Sequence, residues 1–262
     1  MTRVTMPRAA LCLAAFLSLS LSLLAGSGLA RAGEIKAMAS VALKSTLDDL
    51  AAKFESAGGG KVTMIYGLAA QLKQRVSDGE AVDVAVLIRP MMDDLLKQGK
   101  LTAGSLADAG GTPVAIAIRA GAAKPDIGTA DALKHTLITA KSISYADPAK
   151  GGASGVYFAK VVGQLGLTDE LKAKTILVPG AEAPELVAKG EAELGVAQGS
   201  EIVSVPGAEV LGPLPGNFGS VTLFTAGIAT ASKEPDTAKA FIKFMTGSDA
   251  APVLKAKGFN PG

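Results

Sequence analysis

KVTMIYGLAAQLKQRVSDGEAVDVAVLI, residues 61–88, reads as a strand, a helix and a second strand. KVTMIYG is rich in β-branched and aromatic residues, which fit a pleated, half-buried surface. LAAQLKQRVSDG follows with helical patterning and stops at Gly79. AVDVAVLI is a nearly continuous apolar run bounded by Arg89-Pro90, the pattern of a strand covered on both faces. Two strands joined through a helix must lie parallel, because a tight hairpin cannot make that connection.

The same alternation extends to both sides. IKAMAS (35–40) is strand-like, and LKSTLDDLAAKFESA places Leu43, Leu47, Leu50 and Phe54 at helical spacing before Gly58-Gly59-Gly60. Met91 to Gln98 forms a short helix ended by Gly99, so the first third reads βαβαβα, a parallel sheet with helices on its faces. TPVAIAIRAG (112–121) is an apolar strand after a Gly-Gly pair, and TADALKHTLITA (129–140) is a helix with Thr129 as N-cap. SISYADP, TILVPG and LGVAQGSEI carry strands, separated by helical GVYFAKVVGQLG and PELVAKGE. VPGAEVLGPLPGNFG (205–219) reads as a Pro/Gly-rich connection into a strand, VTLFTAGIATA, and the chain closes with two helices over 235–258. The expected architecture is α/β, with two Rossmann-like lobes joined by two crossing strands and a ligand cleft between them. Lobe 1 is discontinuous, residues 33–112 plus 222–262, and lobe 2 spans 113–221.

Residues 1–32 have the order of an export signal: Arg3 and Arg8, an apolar run from Leu11 to Ala25, then small residues ending Ala30-Arg31-Ala32, with cleavage expected before Gly33. The run is short for a membrane span, though a retained anchor is the competing reading. Cys12, the one cysteine, lies early in that run and away from its cleavage end. Removing 1–32 removes three arginines and no acids, so the formal charge goes from +2 to 2 − 3 = −1. The remaining chain has no cysteine and no Trp, and no basic stripe. Disulfides, thiolate nucleophiles and Cys-ligated metals are excluded for it, and the electrostatic and stacking basis of nucleic-acid binding is missing.

In open parallel sheets ligands sit beyond the carboxyl ends of strands, where helices begin. Those positions are Ala39, Ser40 and Val41, then Tyr66, Gly67, Leu68 and Ala69, then Arg89 and Pro90; in the second lobe, Ser154, Gly155 and Tyr157, then Gly180 and Ala181, then Gln198. DPAKGGASGVYFAK (147–160) is the most suggestive of them, because small residues before a helix start let backbone N–H groups approach an anion. The same residues are also ordinary for a loop and an N-cap. Arg89 emerges from a buried strand, where its planar fork suits a carboxylate or phosphate; a structural salt bridge is the alternative.

Chemistry beyond binding finds little support. His135, the single histidine, falls in a helical pattern and reads as a helix residue rather than a general base, and one histidine cannot build a His-rich zinc site. Asp48-Asp49 and Asp93-Asp94 lie on amphipathic helices and read as solvated faces. With neither nucleophile, base pair nor metal cluster, a binding protein is favoured over a secreted α/β enzyme, and neither cofactor nor resident metal is expected.

IKAMASVALKSTLDDLAAKF, the 61–88 stretch, DPAKGGASGVYFAK, AELGVAQGSEI and AKAFIKFMTGSDAAPVLKAKGF, in that order, resemble the molybdate-binding-protein-like branch of periplasmic solute receptors for ABC importers. The resemblance runs over almost the whole chain after residue 32. It implies a periplasmic monomer that closes on a small anion and delivers it to an inner-membrane permease; a sensor role would use the same structure. It also implies an oxyanion site of hydroxyls and backbone N–H groups, with Ser40, or Ala42 in a competing match, in the first loop and Ser154 at a helix start. This chain departs from that site: Leu68, Ala69 and Ala70 stand where a second serine is expected, and Gln198 where the molybdate binders carry tyrosine. Lost hydroxyls leave buried ligand oxygens unpaired, at ~1–3 kcal/mol each. The expected guest is therefore a small organic anion, with molybdate or tungstate as the alternative.

Overall fold

A computed structural model describes residues 33–260. The expected export signal and Cys12 lie outside the described residues. In chain order the elements are β1 (Glu34–Ser40), α1 (Lys44–Ser56), β2 (Lys61–Gly67), α2 (Ala69–Ser77), β3 (Val84–Ile88), α3 (Arg89–Lys97), β4 (Ala107–Arg119), α4 (Ala130–Thr139), β5 (Ile143–Ala146), α5 (Ala153–Gln164), α6 (Thr168–Lys172), β6 (Thr175–Val178), α7 (Ala183–Lys189), β7 (Leu194–Gln198), α8 (Gly199–Val203), β8 (Ala208–Pro213), β9 (Val221–Ile228), α9 (Pro235–Thr246) and α10 (Ala251–Ala256). A single 3-10 turn, Val41–Leu43, joins β1 to α1. None of the described helices is long and apolar enough to cross a membrane.

The strands form one mixed sheet in the order β2-β1-β3-β9-β4-β7-β5-β6, with β8 added on β4. The βαβ units are parallel as their connections require: β1 pairs with β2 and β3, and β5 with β6 and β7. β4 and β9 run antiparallel to their neighbours. The long β4 serves two halves of the sheet, since Ala107 to Pro113 pair with β9 while Val114 to Ala117 pair with β7.

Each half has its own apolar interior. In the first, Leu43 of the 3-10 turn and the α1 stripe Leu47, Leu50 and Phe54 pack on β1, β3 and α9, with the Phe54 and Phe241 rings 5.2 Å apart. β3 shows why its sequence is continuously apolar: Val84 and Val86 face that cluster, and Ala85 and Leu87 face a second one against α2 and α3. In the other half Val114, Ile116, Leu133 and Val196 surround Phe158, whose ring meets Tyr145 edge-on at 5.1 Å. Fully burying side chains of this size stabilises by about 1.5–3 kcal/mol each.

Three local expectations need correction. Gly110 and Gly111 lie inside β4 and not before it: the register shifts between Asp108 and Gly110, Gly110 has φ +129°, and a Cβ there would come 2.9 Å from the Asn260 carbonyl. Glycine therefore lets the C-terminal segment pair with β4. The connection over 205–219 contains β8, whose Pro213 is tolerated at the end of an edge strand. Arg89-Pro90 belongs to the first turn of α3, two residues ahead of the helix start expected at Met91, because proline's fixed φ and missing N–H suit a helix start.

Candidate ligand cleft

The carboxyl ends of β1, β5 and β7 and the residue after β2 converge on one small cavity between the two halves, about 20 Å³, room for about one water. Its wall includes Ser40, Val41, Ala42, Leu68, Ala69, Ala146, Gly152, Ala153, Ser154, Gly180, Gln198, Glu201 and Phe224. The strands bring these residues together because parallel neighbours end at the same level, as Ser40 opposite Gly67 does.

Two helix starts, one from each half, meet there uncapped. α2 follows Leu68 and α5 follows Gly152, and neither residue offers a side-chain cap; Ser40, before the 3-10 turn, makes none either. Among the described α-helices a side-chain cap is the exception, as at α4, where Thr129 Oγ1 accepts from the Ala132 N–H at 3.1 Å. The first N–H groups of a helix have no partner within it, and they carry the positive end of its dipole. The residues at the starts of α2 and α5, Leu68 and Ala69 with Gly152, Ala153 and Ser154, line one shared space.

Ser40 and Ser154 are buried, 5% and 6% exposed, and both line the cavity. Gln198 is buried as well; its Nε2 donates to Thr222 Oγ1 at 2.9 Å. Its Oε1 faces the Glu201 N–H in a capping-box arrangement that falls short of full hydrogen-bond geometry, so this buried acceptor is weakly satisfied. No Lys, Arg or His lines the cavity among the described residues.

The halves touch around this space. Ser200 Oγ donates to the Ala42 carbonyl at 2.9 Å. Gly151, with φ +79°, brings the loop before α5 against α2, where a Cβ would lie 2.5 Å from the Ala70 Cβ. The glycine run ahead of α5 thus serves both a left-handed turn and a close approach.

Five of the nine expected ligand positions, Ser40, Val41, Ala69, Ser154 and Gln198, line the cavity; Tyr66, Gly67, Arg89 and Gly155 do not. Arg89 is held by Asp93 (2.9 Å) and Asp108 (3.1 Å), which raise its already high pKa, Asp93 most. Its N1 position on α3 aims it at those acids, so the salt-bridge alternative describes its contacts. Tyr66 donates its hydroxyl to Asp48 at 2.7 Å, and burial, with that carboxylate, keeps the phenol protonated. Gly67 packs on Leu72, and Gly155 lies against the Ala146 carbonyl. Of the neighbouring strand-end positions, Tyr157 donates to the Phe218 carbonyl at 3.1 Å, and Ala181 lines an outer groove.

Glu201 escaped the reading of the sequence. It lines both the inner cavity and the outer groove, and its Oε2 accepts from the Gln198 N–H at 2.9 Å. Burial, opposed by that N–H and reinforced by the Glu182 charge, pushes its carboxyl up to about 7. The signal available in sequence was its place three residues after a strand-ending Gln198, the spacing of a capping box. Ala146 and Phe224, which supply apolar wall, carried no local signal.

Residues 35–260 match the family described as bacterial extracellular solute-binding protein. Over 230 residues the chain is 31% identical to a protein named aconitate isomerase from Pseudomonas sp, covering 86% of each chain. It is 26% identical over 240 residues to the molybdate-binding protein ModA of Escherichia coli (strain K12), covering 90% of this chain and 92% of that one. Among solved structures, the periplasmic molybdate-binding protein of Azotobacter vinelandii superposes with a TM-score of 0.72 at 22% identity, over 86% of this chain and 98% of the other.

Proposed function

The chain belongs to the bacterial extracellular solute-binding protein family, and we propose that it is a periplasmic receptor for a small organic polyanion, which it delivers to an inner-membrane ABC permease. Residues 33–112 with 222–262 act as one lobe and 113–221 as the other, hinged where β4 and β9 cross. The observation that carries the reading is the pair of uncapped helix starts, α2 and α5, facing one cation-free cavity from opposite halves. Such a site offers directed N–H donors to carboxylate oxygens. It offers less to a tetrahedral dianion, which would meet Leu68 and Ala69 where a hydroxyl is needed and a carboxylic acid at Glu201.

The relative named aconitate isomerase supplies the first ligand to try, a propene tricarboxylate. Calorimetry on the chain from residue 33 should give clearly tighter binding of aconitate than of molybdate, with a smaller radius of gyration in small-angle scattering once the ligand is present. Tight molybdate binding with no response to any polycarboxylate would overturn the organic-anion reading in favour of the oxyanion one. A second reading, in which the cleft also transforms its guest, is favoured by the carboxyl of Glu201 in its wall.

A further inference from the structure

We propose that Glu201 is an acid–base residue of the cleft, moving a proton between the two ends of an allylic carbon system in a bound unsaturated polycarboxylate. The inference rests on the polycarboxylate reading of the cavity. A carboxylate facing an anion opposes binding by charge repulsion, a cost set against the capping of the Gln198 N–H that Glu201 also provides. Among the described residues Glu201 is the one acid that lines this cavity.

Its placement suits proton transfer. The bond from the Gln198 N–H to Oε2 at 2.9 Å fixes the carboxyl at the end of β7. Because Glu201 also lines the outer groove, with Lys44, Asp48, Asp49 and Glu185, its proton can exchange with solvent while the inner cavity stays closed. The elevated proton affinity from burial and Glu182 makes the ionised form a better base than a solvated glutamate, and one available near neutral pH.

The rest of the wall addresses the charge that proton removal creates. Gln198 Oε1, buried and held only loosely over the Glu201 N–H, has lone-pair capacity for a hydrogen-bond donor on the guest. A ligand carboxyl that keeps its proton supplies such a donor, and a neutral carboxyl acidifies the adjacent carbon far more than a carboxylate does. The starts of α2 and α5, which line the cavity without side-chain caps, offer N–H donors to the oxygens onto which the electron pair spreads.

The step balances without a co-reactant. Glu201 takes the proton from the methylene carbon next to a carboxyl and the double bond. The C–H electron pair delocalises over the allylic carbons and the carboxyl oxygen. The former double bond, now of single-bond character, can rotate, and Glu201-H returns a proton to the far carbon. No oxidation occurs, and the product is a geometric or positional isomer of the substrate.

The test is incubation of the chain from residue 33 with cis-aconitate in D2O, followed by proton NMR, with calorimetry on the same samples. Deuterium entering the methylene position, with conversion to the trans isomer, is expected for the wild type. Glu201→Gln keeps an acceptor for the Gln198 N–H; it should still bind aconitate but exchange at least ~100-fold more slowly, the usual scale of acid–base catalysis. Glu201→Asp should recover part of the rate with the same pH profile. Binding without deuterium incorporation in the wild type overturns the proposal and leaves the receptor reading standing, as does wild-type exchange in Glu201→Gln. Absence of binding overturns both.

Discussion

The Gln198 backbone N–H donates to Glu201 Oε2 across 2.9 Å, so the residue that ends β7 also anchors the one carboxyl of the cavity wall among the described residues. A strand end and an ionisable group are thereby locked together, and the cleft's response to pH follows from that lock.

Burial lifts the Glu201 carboxyl from its ordinary 4.5 to about 7. A carboxyl whose folded pKa lies above its unfolded value stabilises the fold below the unfolded value, and that stabilisation is lost as pH rises through the folded one. Glu182 and Glu185 beside it, and Lys44, Asp48 and Asp49 across the groove, set the local field. Thermal melts of ligand-free wild type and Glu201→Gln should therefore diverge between about pH 4.5 and pH 7, the variant becoming the more stable as pH rises. Parallel curves would show that Glu201 titrates like an exposed acid.

Arg89→Ala should leave affinity for aconitate within roughly twofold of wild type, as for surface substitutions away from a site. Its guanidinium is committed to Asp93 and Asp108 and does not line the cavity. A tenfold or larger loss in calorimetry would return it to the site.

Ser40→Ala and Ser154→Ala should each weaken binding about five- to tenfold, the equivalent of ~1 kcal/mol for a hydroxyl hydrogen bond. Both side chains are buried in the wall, yet the backbone donors beside them survive the change. Unchanged affinity in both would assign recognition to the backbone alone.

Ser200→Ala removes the hydroxyl that reaches the Ala42 carbonyl at 2.9 Å, a bond between the halves made beside the cavity. Its net contribution of ~0.5–1.5 kcal/mol should appear as up to about tenfold weaker binding. The melting temperature of the unliganded protein should change little. The reverse pattern, a lower melting temperature with unaltered affinity, would make the contact structural and not part of closure.

Much of the architecture is written in periodicity. The stripe of Leu43 with Leu47, Leu50 and Phe54 of α1 and the continuous run VAVLI have one burial solution each, because a helix shows its core one face and a doubly covered strand shows it two. Parallel order then follows from connections that are too long for hairpins, and with it the rule that ligands gather at strand ends. That local logic led to Ser40, Val41, Ala69, Ser154 and Gln198. It could not separate Arg89 from them, since every residue at a strand end has the same local signature. The choice between an anion and Asp108 depends on where a strand nineteen residues further on is paired. Glu201 illustrates the opposite failure: an acid in the first turn of a short helix is ordinary in sequence. Only the meeting of β7 with the 3-10 turn after β1 half-buries it, and that partial desolvation, a property of everything packed around a group, raises its proton affinity.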